Sequence, residues 1–320
     1  MGIKSIVTCK KLTLFLVCFL IGLTCLWASV GTVSAQASAQ SQPGFQPGQK
    51  KDFLWSVKTA NATVYLLGSF HLLQADAYPL DANIEAAYKN SARVCFEMDI
   101  GAAKDPAYQS QLLAQGLYPE GQTLQQNISK ETYALLDKKA AALGITMVQL
   151  NPLKPWLCAV TLSGLELIRR GFDPRYGIDQ YFFAKAKKDD KPMFFFESID
   201  FQMRLFTELT GKDGDALLRQ TLKDLEVIET LLPDMVNAWK TGDAPRLGAF
   251  MTMSFKDLPG LYNRFVVERN KTWSSTIERL LAQGGTAFVV VGAGHLGGPD
   301  NLLQLLQKKG YRIEQISAAR

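Results

Sequence analysis

Four short apolar runs constrain the fold of this chain more than any other feature, because each ends in a glycine or a carboxylate. Two of them lead into the motif Gly-x-x-His, at residues 68–71 and 292–295. The other two, "ARVCFEMDI" and "MFFFE", reach Glu97 and Glu197. Runs of this length and composition are typical of buried strands, and segments with helical spacing separate them. This alternation predicts an α/β protein around a central, mostly parallel sheet of four to six strands.

The same order of elements occurs in both halves of the chain. An apolar run at residues 64–67 precedes a short helical segment and the strand "ARVCFEMDI", and a helix at about 178–188 precedes the strand "MFFFE". We therefore predict two pseudo-repeated strand–helix–strand halves. Residues 102–172 lack strand-like runs and contain helical segments, so they are predicted to form a large helical insertion.

The last third of the chain is predicted to be helical before it returns to the sheet. Residues 198–283 have helical periodicity, and we predict breaks at Gly211, Gly214 and Pro233, since glycine and proline disfavour a helix interior. The strand "TAFVVVGAGH", the helix "PDNLLQLLQKKG" and the strand "YRIEQI" follow. These last strands complete the predicted sheet.

The N-terminal region has the features of an export signal. Residues 1–35 contain a basic start, a long apolar stretch and small residues before Ala35, which indicates a secretory signal peptide; an uncleaved membrane anchor is the alternative. Residues 36–52 are rich in Gln, Ser, Pro and Gly and are predicted to be a flexible linker to a single domain at 53–320. We expect an exported protein, periplasmic or secreted, whose only membrane contact is the N-terminal segment.

Charge and cysteine content exclude several functions. Without the three lysines of the signal segment, 32 basic and 30 acidic residues remain, a balance that gives no reason to expect nucleic-acid binding. No Cys-x-x-Cys pair exists. Cys95 lies in an apolar strand and Cys158 on an apolar helix, so both are predicted to be core thiols. Export would permit a disulfide between them, but their spacing does not predict one.

The two histidines of the chain follow the same pattern and therefore form a candidate site. Gly68 and Gly292 are predicted to end their strands in sharp turns, so that His71 and His295 point over the strand ends. Ligands of parallel sheets bind at the carboxyl ends of the strands, where Glu97 and Glu197 are also expected. Imidazoles and carboxylates together suit Zn, Mn, Co or Fe, and such an ion would activate water. The alternative is a pair of structural histidines satisfied by hydrogen bonds.

The segment "VVVGAGHLGG" also matches the dinucleotide-binding pattern, with glycines at 292, 294 and 297 and Glu314 about 20 residues later. Few residues follow it for the remaining units of such a fold, and a histidine is an unusual neighbour for a pyrophosphate. An NAD-dependent oxidoreductase is therefore only the third hypothesis.

These motifs resemble those of the TraB/PrgY/GumN family, whose animal members are the Tiki membrane proteases, over about residues 53–317. The matching segments include "LWSVKTANATVYLLGSFHLL", "YGIDQYFFAKAKKDDKPMFFFESIDFQ" and "ERNKTWSSTIERLL". The resemblance implies a sheet flanked by helices, as in erythromycin-esterase-like proteins, and a metal-dependent hydrolase site. It implies further that His71, His295 and Glu97 hold the metal, that Glu197 is a second acid and acts as ligand or base, and that Arg269 and Asn270 face the site. Arg269 would then stabilise an oxyanion, and the alternative is a salt bridge at the helix end.

The sequence thus predicts an exported metal-dependent hydrolase that acts on peptides or another small substrate. The metal, the substrate and the oligomeric state stay open. A non-catalytic protein that binds a peptide or haem in the same pocket is the second hypothesis, with Tyr65, Tyr176 or Tyr181 as candidates for contact with haem.

Overall fold

The computed structural model describes residues 50–319, so the predicted signal peptide and most of the predicted linker lie outside the described residues. Six strands form one sheet in this part of the chain: β1 Lys51–Lys58, β2 Ala62–Ser69, β3 Arg93–Phe96, β4 Met193–Phe195, β5 Gly285–Gly292 and β6 Ile313–Ser317. The helices are α1 Ala82–Lys89, α2 Pro106–Gly116, α3 Leu124–Asn127, α4 Lys130–Leu143, α5 Met147–Leu150, α6 Pro155–Arg169, α7 Ile178–Lys188, α8 Ile199–Thr207, α9 Gly211–Lys240, α10 Ala244–Ser254, α11 Pro259–Tyr262, α12 Glu268–Gln283 and α13 Leu302–Lys308.

The sheet has the strand order β4-β3-β5-β2-β1-β6 and is mostly parallel, which confirms the predicted α/β class. Strands β2, β5, β3 and β4 are parallel to one another, whereas β1 is antiparallel to both β2 and β6. Since β5 lies between β2 and β3, the two predicted halves interleave instead of standing side by side. The sequence pattern does not predict β1, because the buried polar residues Asp52 and Ser56 interrupt its apolar run.

The register of the parallel strands brings their carboxyl ends to one edge of the sheet. Ser69 at the end of β2 lies opposite Gly292 at the end of β5, and Phe96 of β3 lies between Val290 and Phe195. The residues that follow these strands therefore share one region of the protein, and they include both histidines and both glutamates of the predicted site.

Helix α9 corrects one prediction, because it runs for 30 residues through two of the three expected breaks. Gly211 is its first residue, as predicted, but Gly214 and Pro233 lie inside it. Proline removes one backbone hydrogen bond from a helix. The buried side chains of Leu231, Leu232 and Met235 lie on both sides of Pro233, and their burial offsets this loss.

Residues 102–172 form helices α2 to α6, and α9 packs against α4 and α6 of this segment. The packing buries Cys158, and burial raises the pKa of its thiol; burial also raises the pKa of Cys95 to about 12. Both cysteines are free, as expected for core thiols. Among the helices of residues 50–319, none combines the length and hydropathy needed to cross a membrane.

Candidate active site

The first Gly-x-x-His motif places His71 two residues beyond β2, where a loop from a distant part of the chain meets it. Nδ1 of His71 lies 2.7 Å from Oδ2 of Asp179, in the first turn of α7. A carboxylate only accepts, so Nδ1 carries the proton and Nε2 is the ring nitrogen left for a ligand. Burial alone would lower the pKa of His71, but the neighbouring Asp179 raises it above its usual value.

Glu97 follows β3 and is held by three donors. Its Oε2 accepts from Nη2 of Arg269 at 2.7 Å and from Nε2 of Gln202 at 3.0 Å, and its Oε1 accepts from the backbone N–H of Gly292 at 2.7 Å. Burial would raise the pKa of this carboxyl, but the Arg269 charge and these bonds lower it to about 2. Glu97 is therefore a fixed anion at neutral pH.

Arg269 lies at the centre of a group formed with Glu97, Glu197 and His295, which we call the buried charge cluster. The side chain of Arg269 is 4 % exposed. Its Nε and Nη2 donate to Glu197 at 3.0 and 2.9 Å, and Nη2 also donates to Glu97. Its Nη1 donates to the carbonyl of Phe265 and to Nε2 of His295, both at 3.2 Å. All five N–H groups of the guanidinium thus have acceptors. In this arrangement Arg269 orders the two glutamates through ion pairs, as in the salt-bridge alternative, and its oxyanion role stays a prediction.

His295 is fully buried in a 3₁₀ turn that follows β5, and its hydrogen bonds define its tautomer. Because a guanidinium only donates, Nε2 of His295 accepts from Arg269. Nδ1 therefore carries the proton and donates to Oδ1 of Asn270 at 2.6 Å, while Nδ2 of Asn270 donates to the carbonyl of Asp300. Burial and the Arg269 charge lower the pKa of His295 well below its usual value. His295 is a neutral acceptor, and Asn270 sets its orientation.

Glu197 lies deeper than the sequence predicts. Its Oε1 accepts from the indole N–H of Trp273 at 2.9 Å, and its Oε2 accepts from Gln202 at 3.2 Å, in addition to the bonds from Arg269. Its side chain is only 5 % exposed. Because donors surround both oxygens, Glu197 is a structural counter-ion of Arg269 and is not placed to act as a ligand or base.

A small cavity opens beside His71 at the ends of the parallel strands, and we call it the strand-end cavity. Its space of about 20 Å³ is enough for one water-sized group. The polar side chains that line it are those of Ser69, His71, Glu97, Asp179 and Gln202, and the apolar ones are Phe96, Met98, Ile100 and Val290. His295, Glu197 and Arg269 do not line it, whereas Glu97 lines the cavity and also belongs to the buried charge cluster.

The predicted metal ligands do not fit a divalent ion in this arrangement. Within residues 50–319, no three His, Cys, Asp or Glu side chains are grouped so that they could hold a metal. Nε2 of His295 lies 3.9 Å from Oε1 of Glu97, but Arg269 donates to both residues. The guanidinium supplies the positive charge that a metal would otherwise supply, and His71 shares the strand-end cavity with Glu97 but not with His295.

The two motif glycines act by close packing and backbone bonding, not by the predicted sharp turns. Gly68 lies within β2, and a Cβ atom there would lie 2.3 Å from the ring of Phe53. Gly292 has φ −52° and ψ 135°, a conformation open to any residue, and its N–H donates to Glu97. The dinucleotide hypothesis loses support for the same reason, because a carboxylate already accepts this N–H and the next helix begins only at Leu302.

Four residues of the site are absent from the sequence prediction. Asp179 and Ser69 line the strand-end cavity, and Gln202 and Trp273 donate to the glutamates. Ser69 lies inside the Gly-x-x-His motif and could have been found there. The other three lie on helices remote in sequence, and no pattern of the chain marks them. Of the tyrosines considered for haem, Tyr181 donates its hydroxyl to Glu85 at 2.6 Å.

The fold and the site define a class of α/β proteins with a buried charged cluster and a histidine cavity at the strand ends. A profile of the TraB/PrgY/gumN family matches residues 53–315. The chain belongs to this family, which confirms the resemblance that its motifs carry.

Three relatives illustrate the range of similarity. The uncharacterised protein YbaP of Escherichia coli is 27% identical over 77% of this chain and 89% of its own length. An uncharacterised protein of Treponema pallidum is 22% identical over 81% of both chains. The human protein named metalloprotease TIKI1 is 19% identical over 86% of this chain and 64% of its own length. No solved structure matches the chain.

Proposed function

We propose that this protein is a hydrolase of peptide or related amide bonds, in which His71 is the general base. One observation carries the proposal: Asp179 holds the protonated Nδ1 of His71 at 2.7 Å while both residues line the strand-end cavity. Asp-His pairs of this kind activate water or hydroxyl groups, because the carboxylate orients the ring and stabilises the imidazolium that forms. The name of the human relative supports a peptide as the substrate.

The reaction needs only a water molecule and the amide. The oxygen of the water bonds to the carbonyl carbon while Nε2 of His71 takes one proton of the water. The π electrons of the C=O bond move to the carbonyl oxygen. When this pair returns, the C–N bond breaks and Nε2 delivers its proton to the leaving amine. Glu97, fixed as an anion by Arg269 and Gly292, lines the same cavity and favours the imidazolium form of His71.

The test is a digest of a peptide library by the purified protein, with products identified by mass spectrometry. Wild-type protein should cleave peptides, and His71→Ala should lose cleavage while its melting temperature shows that it remains folded. Peptides that bind without being cut would overturn the hydrolase and favour the non-catalytic binding protein.

The name of the human relative also favours a second candidate, hydrolysis that depends on Mn, Co, Zn or Fe. The described side chains do not gather three ligands, so this candidate requires Arg269 to move away from Glu97 and His295. Chelation separates the two candidates. Cleavage should persist after dialysis against a chelator if His71 acts alone, and a loss restored by one of these metals would establish the second candidate.

We also propose that the protein is exported from the cytoplasm. Residues 1–35 support it by their composition. Cell fractionation followed by N-terminal sequencing should find the protein outside the cytoplasm and beginning at Gln36. A start at Met1 in the membrane fraction would favour the uncleaved anchor.

A further inference from the structure

We propose that Ser69 and Asp179 hold the hydrolytic water in the strand-end cavity, an inference that rests on the proposed hydrolase function. Both residues line this cavity, and they are 4 % and 8 % exposed. Each has one buried polar atom, Oγ of Ser69 and Oδ1 of Asp179, that makes no hydrogen bond to the described protein atoms. Two buried side chains with an unsatisfied polar atom therefore line the same cavity.

Unsatisfied polar atoms in a protein interior require an explanation, since leaving a buried donor or acceptor unpaired costs free energy. The space of the cavity, about 20 Å³, is the size that holds one water molecule, and a buried water needs two to four polar partners. Oγ of Ser69, Oδ1 of Asp179 and Nε2 of His71 supply three. The two unsatisfied atoms are therefore explained if a water molecule lies between them and the histidine.

The same contacts favour a water molecule over other occupants. A divalent ion would need several free carboxylate oxygens, but Oδ2 of Asp179 is bound to His71, and donors reach both oxygens of Glu97. A serine nucleophile would need a hydrogen bond from Ser69 to the histidine, and Oγ of Ser69 makes no such bond. Ser69 is therefore a positioning residue that acts through the water.

The geometry gives each group one task. Oδ1 of Asp179 accepts a hydrogen bond from one O–H of the water, Ser69 donates its hydroxyl to the water oxygen, and Nε2 of His71 takes the proton of the other O–H during attack. Asp179 thus binds the base with one oxygen and the nucleophile with the other, which fixes the distance between them. A Cβ atom at Gly177 would lie 2.3 Å from the carbonyl oxygen of His71 and 3.0 Å from Oδ1 of Asp179, so the loop packs closely against both residues.

The experiment compares Ser69→Ala with Ser56→Ala in the full-length protein. Ser56 is the matched control, because it is a buried serine of the same sheet whose hydroxyl also has no partner, yet it does not line the cavity. Ser69→Ala should lower kcat at least tenfold, change KM less than twofold, and leave the melting temperature unchanged or higher. Ser56→Ala should have a similar melting temperature and wild-type kcat.

The results for wild-type protein and Ser69→Ala separate failure of the water site from failure of the hydrolase function. Active wild-type protein with unchanged kcat in Ser69→Ala overturns the water site alone, whereas inactive wild-type protein overturns the hydrolase and this inference together. A covalent fluorophosphonate adduct on Ser69, detected by intact mass, would make Ser69 the nucleophile and also overturn the water site. If Ser69→Ala does not fold, a high-resolution crystal structure of the wild-type protein decides. It should contain a water within hydrogen-bond distance of Ser69, Asp179 and His71, and an empty cavity would refute the inference.

Discussion

Oδ2 of Asp179 accepts a hydrogen bond from Nδ1 of His71 across 108 positions of sequence. Gly177 makes this contact possible, because its missing side chain lets the loop before α7 pack against the backbone of His71. The pair connects the end of β2 to the segment that follows the helical insertion. The histidine of one motif is therefore oriented by a residue outside both motifs.

Substitution of Asp179 by Asn should impair hydrolysis more than folding. The amide keeps the size of the carboxylate but loses the charge that stabilises the imidazolium, and residues that orient a functional histidine typically contribute about 10- to 100-fold or more to activity. We expect kcat to fall at least tenfold, measured with a peptide from the library digest. Asp173→Asn is the control, because this carboxylate lies in the loop just before α7 and binds the exposed Arg175. An equal loss in both variants would show that Asp179 acts only through loop structure.

Replacement of Arg269 by Gln should destabilise the fold strongly. It would leave Glu97 and Glu197 buried without their cation, and breaking a buried ion pair from one side typically costs about 3–5 kcal/mol. The loss should appear as a lower free energy of unfolding in urea at pH 7. Arg246→Gln removes an exposed ion pair with Asp234 and should cost less than about 1 kcal/mol. If the two variants lose the same free energy of unfolding, the buried charge cluster stabilises the fold no more than a surface ion pair does.

The sequence predicts the sheet well where a strand is a continuous apolar run. Strands β2, β3, β4 and β5 are all marked in this way, and the parallel direction follows from the helices between them. Three features could not be predicted, because they depend on tertiary contacts. Two buried polar residues interrupt the apolar run of β1, Pro233 is tolerated by packing of α9, and the insertion of β5 between β2 and β3 has no local signal.

For the candidate site, the motifs predict which residues approach the strand ends but not how they pair. His71, Glu97, Glu197 and His295 do lie there. Their division into a cavity and a charge cluster follows from Arg269, whose five donors fill the space between the glutamates and His295. One arginine on a helix has no periodic signal that distinguishes it from a surface cation.

The close approach of Gly68 to Phe53 predicts strong coupling between these residues. Because a Cβ at position 68 would lie 2.3 Å from the Phe53 ring, Gly68→Ala should lower the free energy of unfolding by about 1–3 kcal/mol, the usual cost of overpacking. Phe53→Leu alone should also destabilise, since it leaves a gap. The double variant should be more stable than the sum of the two losses predicts, by at least about 0.5 kcal/mol in a double-mutant cycle. Additive losses would mean that the glycine is not required by this ring.

The buried carboxyl of Asp52, near the contact between the two ends of the domain, should make the free energy of unfolding depend on pH. Burial, and then the neighbouring carboxylate of Asp81, raise the pKa of Asp52 to about 7, and among the described residues its Oδ2 has no hydrogen-bond partner. Asp81 in turn caps α1 and accepts the backbone N–H of Ala319. The folded protein thus binds the Asp52 proton more tightly than the unfolded chain does.

The direction of the pH effect follows from this difference. A carboxyl with a raised pKa contributes its full stability below the pKa of the unfolded chain, 3.8, and that contribution falls as the pH rises to about 7. Asp52→Asn removes this loss, so its stability relative to the wild type should increase between pH 4 and pH 7 and then level off. The gain should be largest at pH 8, where the wild-type carboxyl is ionised in its buried position. Urea unfolding at several pH values measures it, and Asp137→Asn on the exposed face of α4 should give a flat difference. A difference for Asp52→Asn that is equally flat would show that this carboxyl ionises freely in the folded protein.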